Sequence, residues 1–354
     1  MNKSFFNFQD DSQPYFIADI AANHDGSIQR AKDLIWLAKD AGAHCAKFQH
    51  FVADEIVNAL EFNRLGSDQT HQGSWKKSVS EVYDQYHFKR EWTKEIYDEC
   101  IKADIDFSST PYDKEAIALI KDFVPFIKIG SGDISWIEHI AECSDTGLPI
   151  VIATGASTDS DVKRAMQIFD NRENQLCLMQ CNTNYTIDPD KIGYVNLNVL
   201  KKYKRDYPDV ILGLSDHTLS DTSVMGAVAL GAKVIEKHFT DDNDRVGPDH
   251  NFAINPYNWR VMVDKANELS LAMGDGYKRV EENEKDAFVV QRRSCTLKND
   301  LEKGAVITSE DLTFLRPCPP SSFHPYELAR ILGKRVTRDM VKNEILLHSD
   351  IEIL

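Results

Sequence analysis

The chain has 354 residues, and its 41 basic against 56 acidic side chains give a formal charge of -15. That balance excludes a nucleic-acid footprint or a polybasic membrane patch, so an anionic substrate would need a local cluster of Lys, Arg or metal working against the global field. With 42% hydrophobic and 27% charged residues the composition is globular and excludes wholesale disorder, and the length fits one barrel of about 250 residues plus a compact extra module.

The N-terminal MNKSFFNFQDDSQPYF has no apolar stretch long enough for a signal peptide, and no later segment reaches ~18 uninterrupted apolar residues. From Phe16 onward, short β-rich runs alternate with helical patterns. The runs are Phe16–Ala21, Cys45–Gln49, Ile105–Thr110, Phe126–Ser131, Pro149–Thr154, Leu176–Cys181, Val210–Ser215 and Lys233–Phe239. Between the first two, Ile28, Ala31, Leu34, Ile35 and Ala38 follow helical spacing across Ser27–Ala41. Gly42 and Gly147 stand where helix C-caps are expected, each just before the next strand. Strict β/α alternation predicts a parallel sheet with right-handed crossovers. Eight strands over roughly 225 residues favour a closed barrel over an open sheet, and no GxGxxG follows the first strand. The fold class expected is α/β, a (β/α)8 barrel.

The stretch from Val52 to Phe88 is long for a βα connection and polar at its centre, GSDQTHQGSW. Such loops are either functional lids or tolerated surface insertions. After Gly276 a charged segment, RVEENEKDAF, reads as a linker or exposed helix. From Arg292 the pattern changes to short strands and turns, and DLEKGAVITSEDL resembles DMVKNEILLHSDI further on. This weak duplication predicts a small β-clip module of about 60 residues. The boundaries expected are 1–278 for the barrel, 279–291 for the linker and 292–354 for the tail. The seven cysteines form no CxxC pair, and several sit in apolar runs, as buried reduced thiols do. A soluble, cytoplasmic protein is the expectation.

Catalytic groups of such barrels lie at the C-terminal ends of the strands. Here nearly every strand end is polar: Asp19, Asn23 and His24; Lys47 and Gln49; Thr110; Lys128, Ser131 and Asp133; Thr154; Asn182, Thr183 and Tyr185; Ser215, Asp216 and His217; Glu236 and His238. A purely structural barrel has no need of them, so the concentration points to an enzyme. Alternation puts Lys47 with Gln49, and Glu236 with His238, on one face each. His217 and His238 close adjacent strands and could converge on one divalent metal, or be hydrogen-bonded strand-end histidines. Lys47 and Lys128 could bind a phosphate or carboxylate, serve as a Schiff-base nucleophile, or form salt bridges inside the barrel. The turn at Gly247–His250 could close over a ligand or be an ordinary Gly-Pro turn. His44, His50, His71, His87, His139, His324 and His348 carry no usable pattern and read as surface or satisfied histidines.

The runs IADIAANHDGSIQRAKDLI, AGAHCAKFQ, SSTPYD, IKIGSGDI, VIATGAS, LGLSDHT, GAVALGAKVIEKHFT and GPDHNF, in this order, resemble the sialic-acid (nonulosonate) synthase family, and the tail from Arg292 resembles its antifreeze-like (SAF) domain. The resemblance covers nearly the whole chain. It implies a domain-swapped homodimer that condenses phosphoenolpyruvate with an N-acylated mannosamine-type or related amino-sugar aldose. The cofactor implied is a divalent metal, manganese first, with magnesium or cobalt as alternatives.

By the same resemblance His217 and His238 are the metal ligands and also catalytic, with Asp19 and Asp133 handling protons or binding sugar hydroxyls. Lys47, Thr110, Lys128, Ser131 and Thr154 would bind phosphoenolpyruvate, while Thr183, Tyr185, Asp249 and Arg316 would contact the acceptor sugar, Arg316 reaching over from the partner chain. The expected route is attack of phosphoenolpyruvate C3 on the aldehyde, water addition at C2 and loss of phosphate by C–O cleavage. Some positions depart from the family pattern. Asp19 and Asp133 replace glutamates, shortening each reach by about 1.5 Å; Thr183 replaces an asparagine, and Ala153 a serine. Three other readings fit parts of the sequence: a Schiff-base aldolase using pyruvate, an octulosonate- or heptulosonate-type synthase acting on a phosphorylated aldose, and a non-catalytic sugar-binding barrel.

Overall fold

The computed structural model of the chain describes residues 13–65, 75, 77–185 and 188–352. They fall into two compact units, Met1–Asp275 and Gly276–Leu354.

In the first unit all eight expected strands form a closed parallel barrel in sequence order: β1 (Tyr15–Asp19), β2 (Cys45–His50), β3 (Asp106–Pro111), β4 (Ile127–Ile129), β5 (Ile150–Ala153), β6 (Leu176–Cys181), β7 (Ile211–Asp216) and β8 (Val234–His238). β4 is shorter than its apolar run because the chain turns into a 3-10 helix at Ser131–Asp133. The first helix, α1 (Ile28–Asp40), starts where the Ser27 side chain accepts a hydrogen bond from Arg30 N. It buries Ala31, Leu34, Ile35 and Ala38 against the outer face of the barrel, as the spacing predicts.

Side-chain alternation divides each strand between two environments. The outward face joins the helices in one large core that includes Phe16, Ala18, Phe48, Ile127, Leu214, Ile235 and Trp259. The inward face is apolar near the N-terminal ends, where Ile17, Cys45, Phe126, Val151, Cys177 and Val234 pack together. Two residues further along the same faces come Asp19, Lys47, Lys128, Ala153, Met179 and Glu236. The barrel is therefore a plugged cylinder whose filling changes from hydrocarbon to charge toward one mouth.

The segment after β2 adds α2 (Ala53–Ile56), α3 (Ala59–Leu65) and α4 (Val79–Tyr86), the last capped by a reciprocal Ser78–Glu81 box. The polar GSDQTHQGS run, with His71, lies outside the described residues. His50 is buried and satisfied as expected, bonding Ser109 Oγ at 2.6 Å and Thr93 Oγ1 at 2.8 Å; His139 is buried with Nε2 bonded to Pro111 O at 3.0 Å and Nδ1 without a hydrogen-bond partner. All seven cysteines are free and buried. No helix among the described residues is long and apolar enough to cross a membrane.

The second unit opens with an exposed short helix (Lys285–Val290), followed by an antiparallel pair, β9 (Ser294–Leu297) and β10 (Leu312–Leu315), over a small core including Cys295, Leu297, Phe323, Val336 and Leu346. The duplication seen in the sequence is structural. Lys303 N donates to Asp339 Oδ1 and Lys342 N to Asp300 Oδ1, both at 2.7 Å, while Leu301 and Met340 bridge antiparallel between the copies. Corresponding turns place Gly304 at φ 84° and Asn343 at φ 69°, a left-handed conformation that these two residue types tolerate best.

Candidate active site

The charged mouth of the barrel opens into a cavity of about 410 Å³. At its base Lys47 Nζ donates to Asp19 Oδ2 at 2.7 Å and to Thr110 Oγ1 at 3.5 Å, and lies 3.9 Å from Glu236 Oε1. Lys128 Nζ lies 3.5 Å from the same Glu236 oxygen and donates to Ile129 O at 3.1 Å. Gln49 Nε2 and Ser215 Oγ add donors to Asp19 and Glu236, at 3.3 and 3.4 Å. The strand ladders account for this convergence, because Asp19 is paired with Lys47 across β1–β2 and Ser215 with Glu236 across β7–β8. Burial opposes an ammonium on Lys47, but Asp19 and Glu236 outweigh it and raise its pKa. A raised pKa keeps the anion-binding form and withholds the free amine that an imine would need. Asp19 Oδ1 and Glu236 Oε2 are buried without a hydrogen-bond partner, so each carboxylate of this cavity lining keeps one unspent oxygen.

Beside this group stand the two histidines. His217 and His238 have ring centroids 5.4 Å apart, and both line the cavity. His217 Nδ1 lies 3.0 Å from Asn182 O, a contact that requires the proton on Nδ1, so that the neutral ring carries its lone pair on Nε2. His238 Nε2 is 3.9 Å from Asp19 Oδ2, and its Nδ1 is buried without a partner. Burial resists charging of His217, yet Cys181 and the Asn182 carbonyl outweigh it and raise its pKa. His238 is pushed well below the usual histidine value by burial and by His217 beside it. The Cys181 thiol, against which burial works, is brought to about 7 by His217. Tyr185 packs on both imidazoles and Phe252 on His238.

These residues fit a divalent cation. Two neighbouring imidazoles with unspent ring nitrogen, in a cavity that holds carboxylates, are a suitable donor set. Among the described residues no group of three or more His, Cys, Asp and Glu side chains is arranged to hold a metal, so water or substrate would fill the remaining positions.

Thr110, Ser131, Asp133, Thr183, Tyr185 and Asp249 also line the cavity. Burial raises the pKa of Asp133, against the pull of His139 and Lys128. Asp249 accepts from Ala22 N at 3.3 Å, and its pKa is raised to about 6, by burial first and then by Asp19. Thr154 does not join them. Its neighbour Ala153 takes the inward position at the end of β5, so alternation turns Thr154 outward, where its hydroxyl donates to Met179 O at 2.9 Å and accepts from Tyr203 Oη at 3.0 Å. Arg316 belongs to the second unit, just after β10.

The remaining wall comes from the long β2–α5 segment (α5, Thr93–Lys102), whose Ile56, Trp75, Val82, Tyr83 and Tyr86 join Phe51 and Tyr112. The sequence puts Glu236 on the face of His238 without giving it work, passes over Cys181 and Tyr112, and offers the Val52–Phe88 segment, with its aromatics Trp75, Tyr83 and Tyr86, as a lid or part of the acceptor pocket. For Glu236 the signal is present, since an acid at an inward position of a lysine-bearing barrel needs partners. For the wall the signal is only the length of the insertion and its aromatics, because a polar insertion does not announce which of its scattered apolar residues meet.

Comparison with known proteins gives a consistent picture. The model of the NeuB family matches residues 34–278, and that of the SAF domain matches residues 292–352. The N,N'-diacetyllegionaminic acid synthase of Legionella pneumophila is 32% identical over 96% of this chain and 94% of its own. The pseudaminic acid synthase of Campylobacter jejuni (serotype O:23/36) is 30% identical over 97% and 98%. Among solved structures, a spore coat polysaccharide biosynthesis protein of Bacillus subtilis superimposes with a TM-score of 0.61 at 27% identity, covering 97% of this chain and 96% of that one.

Proposed function

The chain belongs to the NeuB family, the nonulosonic acid synthases, and ends in a SAF domain; from that premise we propose that it condenses phosphoenolpyruvate with an N-acylated amino-sugar aldose, releasing inorganic phosphate. The observation that carries the reading is the meeting, in one cavity, of two buried lysines with two adjacent imidazoles. Lys47 and Lys128, with Thr110 and Ser131, hold the phosphate and carboxylate of phosphoenolpyruvate, groups that demand cationic and hydroxyl donors. His217 and His238 hold a divalent cation, manganese in the first instance, and a cation so bound supplies Lewis acidity at the aldehyde oxygen.

The residues of the chain bring the reactants to near-attack distance. C3 of phosphoenolpyruvate attacks the aldehyde carbon, forming the new C–C bond. Water adds at C2, and the C2–O bond then breaks, so that the bridging oxygen leaves with phosphate and C2 becomes the ketone. The water loses both protons, one ending on the aldehyde oxygen and the other on the departing phosphate. Asp133, whose burial favours the protonated acid, and Asp19 are the groups placed to exchange those protons or to bind sugar hydroxyls.

Thr183, Tyr185 and Asp249 face the acceptor. The apolar wall of Phe51, Ile56, Val82, Tyr83 and Tyr86 favours an acceptor with methyl surface there, from acyl groups or a deoxygenated terminal carbon, over one hydroxylated throughout. The lining of the cavity among the described residues includes no arginine, which leaves room in the proposal for Arg316 of a second copy in a domain-swapped, cytoplasmic homodimer. The raised pKa of Lys47 weighs against the imine-forming alternative on that residue.

The test is phosphate release from phosphoenolpyruvate across a panel of N-acylated aldoses with Mn2+ present. Release with at least one of them is expected, together with its loss on chelation and in both His217→Ala and His238→Ala. Wild-type rates in the histidine variants, or trapping of pyruvate on the protein by borohydride, would overturn the reading.

A further inference from the structure

Each of the two imidazoles follows a charged residue in the chain, and the two charges are opposite: Asp216 precedes His217 and Lys237 precedes His238. Asp216 and Lys237 are direct ladder partners across β7 and β8, and alternation turns both to the outer face while the histidines face the cavity. They form an ion pair almost wholly removed from solvent. The Lys237 ammonium also donates to Thr218 O at 2.5 Å and Ser220 O at 3.3 Å. The Asp216 carboxylate in turn accepts from Thr218 N at 3.1 Å, Thr218 Oγ1 at 2.9 Å and Ser223 Oγ at 2.6 Å.

This network lies where the sheet stops acting. His238 is the last residue of β8 and is still paired with Asp19 of β1. β7 ends at Asp216, so no strand ladder holds the backbone of His217. Among the described residues the hydrogen-bond partners of the ion pair outside itself come from residues 218–223, the turn that carries the chain away from His217; Lys191 adds a further cation within electrostatic reach of Asp216. Resting on the reading of His217 and His238 as a cation site, we propose that Asp216 and Lys237 are positioning residues that staple this turn to β8 and thereby set the spacing of the two imidazoles for one divalent cation. Neither residue lines the cavity, so the pair acts through the backbone on both sides of His217. A buried ion pair is weak evidence for stability alone, because a well-packed neutral pair replaces it at little cost, whereas anchoring one strand end to another is a use of its directional bonds.

The experiment measures Mn2+ affinity, from the signal of free Mn2+ in paramagnetic resonance, together with the thermal midpoint without metal. The variants are Lys237→Met and the double variant Asp216→Asn/Lys237→Met in the full chain. The double variant removes both charges together, so its midpoint falls less than that of Lys237→Met, although Thr218 O and Ser220 O lose their donor; its Mn2+ affinity falls by about 10- to 100-fold. The single variant loses both, since it leaves a buried carboxylate without its cation. Wild-type Mn2+ affinity in a folded double variant would show the pair to be structural only and overturn the proposal. Failure of the wild type itself to bind Mn2+ would instead remove the cation site, and the proposal with it. Should the double variant not fold, Ser223→Ala decides: it keeps both charges and removes one bond of the staple, and several-fold weaker Mn2+ binding is expected, unchanged binding being the refutation.

Discussion

Replacing Asp19 by Asn perturbs the balance at the base of the cavity more cleanly than removing a lysine. Lys47, Lys128, Asp19 and Glu236 carry two formal charges of each sign within 4 Å contacts of one another, so the group is neutral before any substrate arrives. An incoming phosphoenolpyruvate must share Lys47 with a carboxylate already 2.7 Å from it. Asparagine keeps an oxygen to accept the Lys47 bond but removes one negative charge. At about 5 Å and an effective dielectric of about 20, the repulsion relieved is ~3 kcal/mol, and water in the open cavity reduces this to about half, or roughly tenfold in affinity.

The stability lost is about 1–3 kcal/mol, less than for an orphaned buried charge, because Glu236 remains 3.9 Å from Lys47. Calorimetric titration with phosphoenolpyruvate, Mn2+ present and acceptor absent, should therefore give about tenfold tighter binding. Turnover should fall, since the proposed mechanism uses this carboxylate to exchange protons or bind a hydroxyl. Equal or weaker binding in a folded Asp19→Asn variant would refute the view that Asp19 competes with the anion for Lys47.

Other outcomes follow from the same geometry. Asp249, with a carboxyl raised from 3.8 to about 6, favours folding fully below its ordinary value, and that contribution is lost as pH rises through about 6. Thermal midpoints of the wild type, relative to Asp249→Asn, should therefore fall between about pH 4 and pH 6; a constant difference would exclude the shift. A Cβ on Gly155 would meet Thr183 Oγ1 at 1.8 Å, and Cys181 Sγ and Ser131 Oγ at 2.9 Å, so Gly155→Ala should cost about 1–3 kcal/mol in denaturant titration, with part of it recovered by adding Thr183→Ala. Phosphoenolpyruvate labelled with oxygen-18 at the bridging position should yield labelled phosphate by mass spectrometry, and label retained in the sugar would rule out C–O cleavage.

How much of the fold and the site is legible in the sequence depends on whether the physics acts along one strand or between strands. The barrel is legible because strands buried on both faces read as short apolar runs, and β6 coincides with its run, Leu176–Cys181, residue for residue. Polar residues at the strand ends mark the mouth. What a single strand end does not state is which way its last residue points. By type and position Thr154 reads as a substrate ligand, yet with Ala153 inward it serves the barrel wall.

Alternation, applied consistently, excludes Thr154 and admits Glu236, two residues before His238. It also marks the doublets Asp216–His217 and Lys237–His238, in which an inward imidazole implies an outward charge. An outward charge under a helix layer must be paired, because desolvating it alone costs several kcal/mol. The two doublets lie on neighbouring strands and have opposite signs, so each is the nearest available partner of the other. The pairing that positions the site is thus implicit in two dipeptides and the strand order, whereas the apolar wall from Phe51 to Tyr86 depends on tertiary packing that no periodicity encodes.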